Sequence, residues 1–147
     1  MGNWIYGCDV CQAVCPFNRF ASPSREEAFR PEQLDFAAPL LLRLLALDEA
    51  DFTRQFANSP IRRIKRERLV RNSCVAAGNW GHPAAVPALC QLLGDSNELI
   101  RGHAAWALGQ IGADPAGAAL RQALPREPSP LVQAEIDLAL QKIGHPS

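Results

Sequence analysis

Three stretches decide the fold: Leu69–Gly81 reads LVRNSCVAAGNWG, Ile100–Gly112 reads IRGHAAWALGQIG and Val132–Gly144 reads VQAEIDLALQKIG. Superposed, they close on glycines 81, 112 and 144, at spacings of 31 and 32 residues. Each is followed by the start of a proline-opened second helix. His82-Pro83 leads into AAVPALCQLL, Asp114-Pro115 leads into AGAALRQAL, and His145-Pro146 arrives where the sequence ends. Alanines and glycines at recurring inner positions let neighbouring helices approach closely. Two-helix units of this period are the signature of an α-solenoid, in which each unit buries its apolar face against the next.

These units resemble HEAT repeats; an ordinary helical bundle with chance internal similarity is the competing reading. Outward from them the pattern stays helical. Leucines cover most faces of Pro39 to Leu47, Asp48 can cap the next helix, and Phe52 and Phe56 stand at i, i+4. Ser59-Pro60 offers a cap and a proline for the first helical position. Stops recur at Gly94-Asp95-Ser96 and Pro128-Ser129-Pro130, and no stretch alternates long enough to demand a strand. Leu92, Trp106, Leu108 and Leu138 are expected between layers, and Trp80 with Trp106 in the core.

The 147 residues are 48% apolar, enough for a chain of this size to bury a core without disulfides. The richest apolar run, Pro39 to Leu47, is interrupted by Arg43 and is far short of a membrane span, and no signal peptide is expected from the opening residues. A cytoplasmic monomer with no membrane partner is the expectation. The 15 basic and 15 acidic side chains are unevenly spread: residues 1–60 carry 5 and 8, residues 61–71 carry 6 and 1, and residues 72–147 carry 4 and 6. One short, arginine-rich segment therefore holds the positive field, as an anionic partner would require.

Five cysteines divide into two kinds. Cys74 and Cys90 lie singly in apolar helical sequence and read as small buried hydrophobes. Cys8, Cys11 and Cys15 fall at x2 and x3 spacings with Pro16 directly after, the tail of the ferredoxin pattern in which the proline-adjacent cysteine ligates the other cluster. A zinc site using the same three thiolates and His82 or His103 is the alternative. Either way the count is short, because one 4Fe-4S cluster takes four cysteines. The chain is therefore expected to lack an upstream part that carries the remaining ligands.

The run from Trp4 to Asn18 (WIYGCDVCQAVCPFN), a helical linker, the segment from Ile64 to Asn72 (IKRERLVRN) and HEAT-like repeats, in this order, resemble the C-terminal part of epoxyqueuosine reductase. The resemblance implies an all-α chain in three parts: the C-terminal piece of a ferredoxin-like 4Fe-4S module over 1–22, a helical linker over 23–59 and a HEAT-like solenoid over 60–147. It implies an oxidoreductase that reduces epoxyqueuosine to queuosine in the tRNA anticodon, using cobalamin and two 4Fe-4S clusters. Cys8 and Cys11 would ligate one cluster and Cys15 the other, with Gly7, Cys8 and Asp9 near the cobalamin and Trp4 and Tyr6 as shields. The catalytic half would lie before Met1, so this part alone is expected to be inactive. A non-catalytic HEAT scaffold and an iron–sulfur electron carrier are the other functions considered.

Ile61 to Asn72 (IRRIKRERLVRN) would project cations from about three helical turns toward a phosphate backbone. The apolar stripe steps five residues from Ile64 to Leu69, so a break is expected near Lys65 to Glu67. Arg62, Arg63, Lys65, Arg66, Arg68, Arg71 and Asn72, joined by Arg101 and His103 of the next repeat, are the candidate tRNA contacts; a plain solvated face is the alternative. His103 occupies the repeat position of Asn72 and could equally cap the interior. His82 and His145, each in a Gly-His-Pro turn, read as repeat punctuation.

Overall fold

The computed structural model describes residues 5–7, 10–22 and 40–144. In chain order these give helix α1 (Val10–Ala13) and a 3-10 turn (Pro16–Phe20), then α2 (Leu41–Leu45) and α3 (Glu49–Gln55). A second 3-10 turn (Pro60–Ile64) leads into α4 (Lys65–Trp80), followed by α5 (Val86–Leu92), α6 (Glu98–Ile111), α7 (Asp114–Ala123) and α8 (Pro130–Gly144). No strand occurs among the described residues.

Local chemistry sets the boundaries. Asp48 caps α3, its Oδ1 accepting from the Asp51 amide at 2.6 Å, and Asn97 caps α6 by accepting from the Leu99 amide at 3.0 Å. Gly81 and Gly112 end α4 and α6 at φ 68°, where a side chain would be strained, and their amides close back on Ala77 and Leu108. The break in the apolar stripe falls at Lys65, whose φ of 62° and ψ of 165° separate the 3-10 turn from α4. That joint lets Ile61, Ile64 and Leu69 all reach the core across a five-residue step. Ser59 caps a 3-10 turn rather than an α-helix.

The repeats pair α4 with α5 and α6 with α7, and α8 opens a third unit. The first helices form one layer in which α4 packs on α6 and α6 on α8; α2 covers the free end of α4 and α5. Neighbours in this layer run parallel, since Gly102 meets Val132, Gly109 meets Ala139 and the Gln110 side chain meets Lys142. Small residues make the approach possible. A Cβ on Gly109 would lie 2.8 Å from the Ala139 Cα, and one on Gly78 would lie 2.5 Å from Trp106 Cζ3. Leu69, Val70, Leu89, Ile100, Leu108, Leu120 and Ile136 form the interior.

Two expected core residues are outside it. Trp80 is 47% exposed and stacks on His82, with ring centroids 4.6 Å apart and planes 14° from parallel. It stands in the last turn of α4, and its ring finds the His82 imidazole rather than the interior. Leu138 is 58% exposed because α8 buries Val132, Ile136 and Ala139, and position 138 falls on the opposite side of the helix. Leu92 and Leu108 are buried, and Trp106 is half-buried against α4.

A joint recurs between units. The Asp95 carboxylate accepts from the Asn97 amide and the Glu127 carboxylate from the Ser129 amide, each at 2.9 Å, and each acid receives an arginine. Arg101 Nη1 donates to the Asp95 carbonyl, as the side chain of Gln133, 32 residues later, donates to the Glu127 carbonyl.

Candidate nucleic-acid interface

The basic segment straddles the Lys65 joint: Arg62 and Arg63 lie on the 3-10 turn, and Lys65, Arg66, Arg68 and Arg71 on α4. Arg62, Arg63, Lys65 and Arg68 are exposed. Arg66 is not a free cation. Its Nε donates to the Leu47 carbonyl at 2.7 Å and its Nη2 to Asp95 Oδ2 at 2.6 Å, so it ties α4 to two loops. Arg101 is likewise engaged, in a two-point contact with Glu127 that leaves its side chain 12% exposed. Both arginines, expected as tRNA contacts, are held in ion pairs by carboxylates that are themselves largely buried.

Asn72 is also occupied: its Nδ2 donates to the Ile5 carbonyl at 2.6 Å, while its Oδ1 is buried without a partner. The amide therefore fastens the cysteine-bearing end of the chain to α4. Arg71 is half-buried, and its Nε is buried without a hydrogen-bond partner. His103 Nδ1 lies 2.8 Å from the Leu99 carbonyl one turn earlier, and Glu98 and Glu135 line the groove beside it. Carboxylates there oppose a phosphate. The sequence reading missed Asp95 and Glu127 as partners; their 32-residue spacing, each three residues before the first residue of a helix, is the signal that could have exposed them.

Of the cysteine segment, Cys8 and Asp9 lie outside the described residues, as do Trp4 and His145. Gly7 has φ 64°. Cys11 is exposed on α1, and Cys15 is half-buried at the start of the Pro16–Phe20 turn. No group of three metal-ligating side chains gathers among the described residues. Cys74 is fully buried, its thiol pushed up to about 12 chiefly by burial, so it is inert as a thiolate ligand. Cys90 is half-buried with its thiol raised for the same reason. His82 faces Trp80 and accepts from the Ala84 amide through Nδ1. Among the described residues no four-thiolate shell is completed.

A family model described as HEAT repeats matches residues 65–146. This chain belongs to the HEAT repeat family. Curated proteins similar to it include several named epoxyqueuosine reductase. The one from Alicycliphilus denitrificans is 46% identical over 122 residues, which cover 75% of this chain and 32% of that protein. The one from Bacillus subtilis is 35% identical over 143 residues, covering 96% and 36%. A crystal structure of epoxyqueuosine reductase with an epoxyqueuosine-modified tRNA-Tyr stem loop aligns with a TM-score of 0.88 and 32% identity, covering 98% of this chain and 38% of that one. The chain spans about a third of the length of the curated relatives it matches. No helix among the described residues is long and apolar enough to cross a membrane.

Proposed function

We propose that this chain is the HEAT-repeat, C-terminal part of an epoxyqueuosine reductase acting as a monomer in the cytoplasm, and that its solenoid docks the tRNA. The observation that carries the reading is the match, over 98% of the chain, to a reductase whose solved structure includes a tRNA stem loop. The charge supports it. Arg62, Arg63, Lys65 and Arg68 form an exposed cationic cluster in a chain whose remaining residues are net negative. Positive charge on a helical surface without base-reading geometry suits recognition of an RNA stem through its phosphates and shape.

The reading includes the cofactors only in part. Cys8, Cys11 and Cys15 are fewer thiolates than a single four-cysteine cluster uses, and Gly7, Cys8 and Asp9 are a small part of a cobalamin site. Reduction of epoxyqueuosine is therefore assigned to polypeptide beyond these residues, and docking to the residues present.

Titration of a labelled tRNA anticodon stem loop against the chain tests the docking role. Replacing Arg62, Arg63, Lys65 and Arg68 together by glutamate is expected to weaken binding by well over tenfold with helix content unchanged, because all four side chains are exposed and only Arg68 lies within an α-helical turn, where glutamate is well tolerated. Arg66 is left intact, since its loss would unsettle the fold. Equal binding by parent and variant overturns the proposal.

A further inference from the structure

On the solvent side of the first-helix layer, α4, α6 and α8 border a groove of about 370 Å³, with Val75 the lining residue from α4. Gly102 lines it together with the apolar side chains of Leu99, Trp106 and Leu131. Leu131 is 79% exposed, and Leu138, one further step along α8, is 58% exposed. Leu99 and Trp106 are seven residues apart on one helix, and Leu131 and Leu138 seven apart on its parallel neighbour. Each pair therefore spans about two turns, roughly 10 Å. Two parallel rows of apolar side chains at that spacing match a helix that presents apolar side chains at i, i+3 or i+4 and i+7.

The polar groups of the groove specify the charge of what would lie there. Glu98 and Glu135 stand at its walls, and neither has a hydrogen-bond or ion-pair partner among the described residues. No lysine or arginine lines it. The nearest arginine in sequence, Arg101, is bound to Glu127, and Lys142, two turns on, bonds the Gln110 side chain. His103 has its Nδ1 committed to the Leu99 carbonyl. An RNA phosphate would meet two carboxylates, of which Glu98 alone feels a nearby cation, the charge of Arg101. The basic, apolar stretch of a second copy is unavailable, because Ile61 and Ile64 are already packed against the core of their own chain.

We infer that the groove between α6 and α8 is a docking site for a basic amphipathic helix of a partner protein, whose apolar residues enter between Trp106 and Leu131 and whose lysines or arginines meet Glu98 and Glu135. Apolar burial supplies the affinity; the two carboxylates choose the sign of the partner and raise its rate of encounter.

The probe is a fluorescein-labelled peptide of about 14 residues, with leucine at i, i+3, i+4 and i+7 and lysine elsewhere. It is compared with the same peptide carrying glutamate for lysine, each titrated into the whole chain. The lysine peptide should bind at least about tenfold tighter than its acidic counterpart. E98K/E135K should reverse that preference, and L131E should weaken the lysine peptide about tenfold with the thermal midpoint unchanged, since Leu131 contributes little to the core. Three results overturn the inference: equal binding of the two peptides, a lysine preference that survives E98K/E135K, and a dimer in sedimentation that L131E dissociates, which would give the face to a second copy. Weaker binding of a tRNA stem loop by L131E would likewise assign the face to RNA and overturn it.

Discussion

Arg101 grips Glu127 at two points, Nε to Oε2 and Nη2 to Oε1, both at 2.7 Å, while its Nη1 reaches back to the carbonyls of Asp95 and Ser96. The two side chains are 12% and 4% exposed. Removing one partner would strand the other charge in the interior, a loss of about 3 to 5 kcal/mol where pairs are fully buried. Glu127→Ala should accordingly lower the urea-unfolding free energy by about 3 kcal/mol, and the double change Arg101→Met with Glu127→Leu by much less than the sum of the single ones. Strict additivity would show that the contact carries no coupling.

The same pair makes the fold acid-sensitive. The Arg101 hydrogen bond holds the Glu127 carboxyl below its ordinary 4.5, with burial opposing and the Ser129 amide assisting. Burial raises Asp95, but the Arg66 hydrogen bond, the Asn97 amide and the charges of both arginines outweigh it and leave it below 3.8. A carboxyl whose folded value is depressed takes up more protons when unfolded, so its stabilisation is full above the ordinary value and disappears as pH falls through the folded one. Unfolding free energy should therefore be level near neutrality and fall from about pH 4.5 downward. Glu127→Gln should flatten part of that acid limb in a series of urea midpoints against pH.

Much of this was legible in the sequence, and the exceptions share a cause. Gly81 and Gly112 ended their helices as the repeat alignment requires, and the five-residue step after Ile64 marked a joint, found at Lys65. Such signals are local. Arg66 and Arg101 looked like free cations because their acids lie 29 and 26 residues away, in turns whose pairing no helical period reveals. Trp80 and Trp106 share an apolar pattern, yet only Trp106 faces a glycine on the neighbouring helix. Of the cysteine segment, spacing gave the pattern of a cluster site, but a ligand shell is a three-dimensional count.

That glycine gives a packing test. Gly78→Ala places a methyl against the Trp106 ring and within 3.1 Å of the Ala107 Cα. The overpacking cost of about 1 to 3 kcal/mol should exceed the gain of about 1 kcal/mol from alanine's helix preference. Trp106→Ala, which empties a half-buried site, should cost about 2 to 3 kcal/mol, short of the loss at a fully buried tryptophan. A lowered thermal midpoint in both variants is the expected outcome, and an unchanged one in either would contradict the α4 to α6 contact.

Withdrawal of Arg66 and Arg101 into ion pairs also fixes how RNA binding should respond to salt. With four exposed cations as phosphate contacts, the log–log slope of affinity against salt should be roughly −3 to −4. Each single replacement among Arg62, Arg63, Lys65 and Arg68 should reduce it by about one contact, whereas Arg101→Gln should lower stability and leave the slope as it was. Fluorescence anisotropy of a labelled stem loop across a salt series distinguishes the two behaviours.

The recurrence of the joint between units bears on how such a protein grows. Residues 97–128 hold both Arg101 and its acid Glu127, and the step from Asp95 to Glu127 equals the step from Arg101 to Gln133, the two side chains that reach back to the preceding carbonyl. A tandem duplication of those residues would bring a second arginine to the carbonyl that Gln133 now uses, and a second glutamate for that arginine. Elongation by in-frame copying therefore needs no newly evolved contact at the seam, and natural selection could lengthen the array one whole unit at a time.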